Sequence, residues 1–147
     1  MRLTPIIAGV TATTLALVAG LHVYWAAGGR AGGAAVPSRP GGGALFVPSV
    51  GSTLAVAAAL SVATWIVAVS GGLAPRIGPR IAYSVGVWGL GLVLAARAIG
   101  DFRYVGFFKR VRGTPFARLD DLVYTPLVAL LALATLWLAY RATRGAT

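Results

Sequence analysis

The sequence predicts an all-α fold: an integral membrane four-helix transmembrane bundle with a Gly/Pro-rich first loop and an aromatic/basic interfacial third loop. Three observations predict it. The 147 residues are 58% hydrophobic and only 11% charged, with a mean hydropathy of +0.83, far from the balance of a soluble domain of that length. The apolar residues gather into four stretches, each close to the roughly 20 residues that cross a hydrocarbon core at about 1.5 Å per residue. Polar chemistry is concentrated in one place: segment 97–121 holds all three carboxylates (Asp101, Asp120, Asp121), six of the thirteen basic residues and four of the five Phe.

The four spans are expected at 3–27, 51–71, 81–98 and 122–140, together forming a single transmembrane domain over 1–147. The first resembles a signal peptide, because Arg2 precedes an apolar run. Its run is too long for an h-region and leads into a His-Tyr-Trp cluster, so it is expected to be a retained helix. The third ends at Arg97, whose long stem can carry the charge to the interface. Loop 1 (28–50) is rich in Gly and Pro and is expected to be irregular. Loop 2 (72–80) is short, with Pro75 and Pro79 stopping the helices on either side. Four crossings put loops 1 and 3 on one face and loop 2 with both termini on the other. The two large loops are therefore expected to meet as one polar site.

Aromatic residues mark the two boundaries, since Trp and Tyr favour the headgroup level. Tyr24, Trp25 and Tyr124 belong to the loop 1/loop 3 face, and Tyr83, Trp137 and Tyr140 to the other, while Trp65 and Trp88 are expected to pack at mid-span. Small residues every four positions, Ala8, Ala12, Ala16 and Gly20 in helix 1 and Ala55, Ala59 and Ala63 in helix 2, are expected to form close-approach ridges. Arg2, Arg76, Arg80, Arg141 and Arg144 crowd the short terminal and loop 2 segments, which favours cytoplasmic termini in a multi-pass protein of the cell membrane.

Composition also excludes classes. With no Cys there is no disulfide framework and no thiolate chemistry. One His and no Glu give no basis for a protein-only metal centre, and no cofactor is expected. The formal charge of +10 comes from arginines scattered among apolar spans, so membrane lipids rather than nucleic acid are the expected counter-charge.

Candidate site residues follow from position. Arg97 and Asp101 are four apart and are expected to pair at the membrane boundary, either as a structural ion pair or as a guanidinium aimed at an anionic group. Beyond them Phe102, Tyr104, Phe107, Phe108 and Phe116 interleave with Arg103, Lys109, Arg110, Arg112 and Arg118, the pattern of a segment lying among headgroups. Asp120 and Asp121 precede helix 4, where carboxylates cap free N–H groups. His22, with Tyr24 and Trp25, lies near the end of helix 1 on the same face. It is read either as a packing residue or as a candidate acid or base.

The motifs HVYWAAGG in helix 1, RAIGDFRYVGFFK after helix 3 and TPFARLDDLVYTPL entering helix 4 resemble a bacterial, mainly actinobacterial, family of small four-helix membrane proteins catalogued as a domain of unknown function. The resemblance covers most of the chain. It implies an inner-membrane protein and selects His22, Tyr24, Trp25, Gly28, Gly29, Arg97, Gly100, Asp101, Gly106, Phe107, Phe108, Lys109, Phe116, Arg118, Asp120 and Pro126. The family pattern has Thr where Asp121 stands and Ser where Thr125 stands, so it does not make Asp121 essential. It supplies no reaction.

The preferred functional expectation is binding or transport of a small amphiphile or lipid at a site including His22, Tyr24, Trp25, Arg97, Asp101, Lys109, Arg118 and Asp120. One alternative is a small intramembrane enzyme, isomerase-like or lipid-modifying, using His22 and the Arg97/Asp101 network. Another is an accessory subunit that docks on a membrane protein partner, or a homo-oligomer.

Overall fold

A computed structural model describes residues 3–31 and 35–144. Arg2, counted above for orientation, lies outside them. Helices α1 (Leu3–Ala26), α2 (Val50–Ser70) and α3 (Arg80–Ile99) are followed by a continuous helical run made of α4 (Pro115–Leu119), a π-helical turn (Asp120–Tyr124) and α5 (Thr125–Arg144). Among the described residues, four helices are thus long and apolar enough to cross a membrane: the first three, and the 30-residue run Pro115–Arg144.

Local chemistry explains the ends. Ser49 caps α2 by accepting the Ser52 N–H, and Gly71 closes it. Helix α3 starts after Pro79 and ends at Gly100. The last run begins at Pro115 and not near 122, because Thr114 accepts the Ala117 N–H and Pro115 follows as the first helical residue. Pro126 then accounts for the widened turn behind it. A proline ring collides with the carbonyl four residues back and offers no N–H, and one turn of π-helix, in which the Thr125 N–H reaches Asp120 O, accommodates it.

Helix α1 packs chiefly against α2 and α3 against α5, and contacts of α2 with α3 and of α1 with α5 join the two pairs. Ala8, Ala12, Leu15, Ala63, Val67, Val87, Leu94, Leu131, Ala132, Leu138 and Ala139 form the shared core. In lipid such a core gains little from the hydrophobic effect, so close fit carries the packing. Gly71 shows it: a Cβ there would overlap the Ala8 side chain, and one at Gly91 would come within 2.6 Å of Leu136. Large apolar side chains such as Leu17, Val62, Leu92 and Leu133 point outwards, as acyl chains allow.

Two packing expectations are corrected. The α1 ridge holds at Ala8 and Ala12, then moves to Leu15 and Ala19, leaving Ala16 and Gly20 exposed. A strict spacing of four drifts around a 3.6-residue helix, so the buried stripe must alternate threes and fours. In α2, Ala63 is buried with Ala57 and Val67, whereas Ala55 and Ala59 are exposed. Trp88 packs against the core, but Trp65 is exposed and its Nε1 donates to the Tyr83 hydroxyl at 3.4 Å.

Candidate functional site

Two separate arrangements occupy the loop 1/loop 3 face. The first is built on segment 100–121. Gly100 and Gly106, both at positive φ (94° and 86°), lie backbone against backbone; a Cβ on Gly100 would overlap the Val105 carbonyl. Between them Asp101 Oδ1 accepts the N–H groups of Arg103 (2.9 Å), Tyr104 (2.7 Å) and Val105 (3.0 Å). Partial burial pushes the Asp101 carboxyl up, and the three backbone donors outweigh it, holding the group below the ordinary aspartate value. Phe102 takes a positive φ of 59° within this tight loop. The chain then returns to the end of α3, where the Phe107 N–H reaches Ala98 O at 2.9 Å.

That return delivers Gly106 and Lys109 to Asp120. The fully buried Asp120 carboxylate accepts Arg97 Nη2 at 2.8 Å, Lys109 Nζ at 2.9 Å and the Gly106 N–H at 3.0 Å. Lys109, also buried, spends its remaining donors on Asp121 (2.5 Å) and Gly106 O (3.2 Å). Arg112 reaches Asp121 at 3.3 Å from the outside. Three cations therefore face two carboxylates. Among the described residues, Arg97 Nη1 and Thr125 Oγ1 are buried without a hydrogen-bond partner.

The expected Arg97–Asp101 pair is not formed. Helix α3 ends at Ile99, so Asp101 leaves the helical face four residues on and turns to the loop backbone, while Arg97 crosses to Asp120. Nor do the aspartates cap the last helix: Thr114 does that, and Asp120 lies inside the helical run. Arg118 is exposed at the end of α4.

The second arrangement is built on HVYWAAGG. Gly28 turns the chain at a φ of 92°, and Gly29 lies under the Tyr24 ring, where any Cβ would overlap it. The Tyr24 hydroxyl accepts the Ala31 N–H at 3.3 Å, and Trp25 Nε1 donates to Ala31 O at 2.6 Å. His22 Nδ1 is 2.8 Å from Val18 O. A carbonyl only accepts, so Nδ1 carries the proton, and in the neutral ring Nε2 holds the free lone pair. The His22 ring meets Trp25 edge-on at 5.1 Å.

Of these residues His22, Trp25, Gly29 and Ala31 wall a cavity of about 620 Å³, shared with Arg30, Val36, Phe46, Ser52, Thr53 and Val56; Tyr24 does not line it. Its lining comes from α1, loop 1 and α2 and contains no residue of segment 97–121. The residues of loops 1 and 3 expected to meet as one site thus fall into two separate arrangements. Loop 1 is expected from the sequence to contribute, but its lining residues Arg30, Val36 and Phe46 and the α2 wall are not signalled there, since Phe46 stands alone in a Gly/Pro-rich stretch and α2 reads only as a span.

The model of the family described as "Protein of unknown function (DUF3995)" matches residues 15–135, from the middle of α1 into α5. The chain belongs to the DUF3995 family. No curated protein and no solved structure matches the chain. Residues 15–135 contain both arrangements, so in DUF3995 terms the aspartate clasp and the α1–α2 cavity both fall inside the family's domain.

Proposed function

We propose that the chain binds a small amphiphile, a lipid or lipid-like molecule with an anionic or polar head, in the cavity between α1, loop 1 and α2. The observation that carries this reading is the cavity's make-up. Its 620 Å³ falls in the range of about 300–1,000 Å³ typical of small-molecule sites. Trp25, Val36, Phe46 and Val56 suit a tail, while Arg30 offers a guanidinium and His22, Ser52 and Thr53 offer acceptors for a head. The hydroxyls of Ser52 and Thr53 donate to Ser49 O at 2.9 Å each, and Ser52 also accepts the Ser49 hydroxyl at 3.0 Å, which leaves both lone pairs of Thr53 and one of Ser52 for a ligand.

The head is thus assigned to Arg30 and not to Arg97, Lys109 or Arg118. None of those three lines the cavity; Lys109 has three acceptors, and Arg97 bonds Asp120 through Nη2. In this reading the clasp holds loop 3 at the membrane surface, where exposed Phe102, Phe107 and Phe108 reach among lipid headgroups. The protein resides in the cell membrane with its termini in the cytoplasm, a placement supported by the arginines flanking loop 2 and the end of α5.

Native mass spectrometry from mild detergent tests the binding reading. Wild-type protein retains a small molecule that Val56→Trp, which fills the cavity, displaces. Ligand-free wild type, indistinguishable from Val56→Trp in stability, overturns it. One observation favours a second reading, an intramembrane enzyme: His22 lines the cavity with its Nδ1 bonded to Val18 O, so Nε2 is the ring nitrogen left for chemistry. A folded His22→Gln variant that retains the ligand yet loses the deletion phenotype supports catalysis; one that keeps the phenotype removes it.

A further inference from the structure

At the other end of the bundle the chain gathers positive charge with no acidic side chain to answer it. Arg76 of loop 2, Arg80 in the first turn of α3 and Arg141 near the end of α5 line one pocket of about 250 Å³, together with Ser70, Tyr83 and Ser84. All three carboxylate side chains of the protein lie at 101, 120 and 121, on the opposite face. We propose that this pocket is a binding site for a phosphate-type anion, either the headgroup phosphate of a membrane lipid or a free phosphate.

The surroundings present the guanidinium donors outward and do not consume them. Arg141 lies over the Trp137 ring at 5.8 Å, a stacking contact that orients a guanidinium without using its N–H groups. Arg80 makes one long contact, to Ala142 O at 3.4 Å. The side chains of Arg76 and Ser84 make no hydrogen bond to the protein among the described residues. Loop 2 is held in place independently: the Tyr83 hydroxyl donates to Ile77 O at 2.9 Å and accepts the Ile77 N–H at 3.2 Å, which fixes the backbone next to Arg76.

Helix α3 adds its own field. Its N-cap is Pro79, with no side chain bonded to the first-turn N–H groups, so the positive end of the helix opens at Arg80. Guanidinium forks and helix N-termini are the standard partners of tetrahedral anions. The volume, below the about 300 Å³ of a drug-sized site, fits a headgroup or an inorganic ion and not a whole lipid. Three like charges share that volume, a placement that an anion stabilises.

The test uses the full chain in a phosphate-free maltoside detergent, following the thermal unfolding midpoint on adding inorganic phosphate against chloride of equal ionic strength, or phosphatidylglycerol in mixed micelles. A midpoint raised by inorganic phosphate assigns the site to a soluble anion. One raised only by phosphatidylglycerol assigns it to a lipid headgroup. In either case Arg76→Gln raises the additive concentration needed for a given midpoint shift about tenfold, the loss expected for one charge-assisted contact, and Arg110→Gln in loop 3 leaves it unchanged. Because Arg76 makes no protein hydrogen bond, its replacement leaves the fold intact where Arg80→Gln loosens the bundle end. Protein indifferent to both additions, or Arg76→Gln and wild type responding equally, overturns the proposal.

Discussion

Lys109 Nζ lies 2.9 Å from the carboxylate of Asp120, and both side chains are fully buried. The lysine comes from a loop and the aspartate from a helical run at the edge of a membrane span, so the pair ties the surface segment to the bundle. Charges this deep are stable only when every donor and acceptor is used. Asp120 meets that condition with three donors and Lys109 with three acceptors.

Removing one member of that pair leaves an uncompensated charge. Asp120→Asn is expected to cost about 3–5 kcal/mol, seen as a large fall in thermal midpoint in detergent. Asp121→Asn removes only an outer partner of Lys109, and the Asp121 side chain is 40% exposed, so the cost is about 1 kcal/mol or less. Equal losses for the two variants would contradict the assignment of Asp120 as the hub.

The glycines of the GDFRYVG loop are expected to be unequal to a third, nearby glycine. Gly100→Ala and Gly106→Ala force a Cβ into facing backbone at positive φ, where nothing flexible can yield, and both should abolish stable expression. Gly113 also has positive φ (81°) but open space around its Cα. Gly113→Ala should cost only about 1–2 kcal/mol, the left-handed penalty alone. Yield and monodispersity after detergent extraction separate the two cases.

Apolar run length located the first three helices to within about a residue, because desolvation in lipid leaves a chain little choice. The last helix is longer than its apolar run, because polar Arg118, Asp120 and Asp121 mask a helix that Thr114 starts and that Asp120 continues from within. The residues of the clasp were legible as an anomaly of composition, yet their pairing was not. Spacing of four suggested Arg97 with Asp101, and only the chain reversal at Gly100 sends Arg97 to a carboxylate 23 positions away. His22 and Trp25 of the cavity are legible in the sequence as candidates, whereas its other walls are not, being mainly ordinary Val, Ser, Thr and Phe brought together by loop 1.

The Asp101 cradle carries a pH signature. Its folded pKa lies below the ordinary value, so its contribution is complete above the unfolded pKa of about 3.9 and is lost as pH falls through the lower, folded value. Amide protection factors at Arg103, Tyr104 and Val105, corrected for intrinsic exchange, should therefore hold at neutral pH and collapse on acidification below about pH 4. Asp101→Asn should show weaker protection with no such transition. A wild-type loop equally protected at low pH would show that the carboxylate does not hold it.

The Tyr24 ring over Gly29 makes a prediction about the cavity. Gly29→Ala must displace the ring, and with it the hydroxyl that receives the Ala31 N–H, so Ala31 loses one of the two side-chain ties that fasten it to α1. Tyr24→Phe removes only the hydrogen bond, worth about 0.5–1.5 kcal/mol, and leaves the ring in place. Trp25→Phe removes the other tie, to Ala31 O. Ligand retention should therefore fall most in Gly29→Ala, moderately in Trp25→Phe and least in Tyr24→Phe. Adding Tyr24→Ala to Gly29→Ala should recover stability, since the overlap disappears, without recovering retention, since the tie is still gone. Recovery of both would mean that the wall of the cavity does not depend on how loop 1 is fastened to α1.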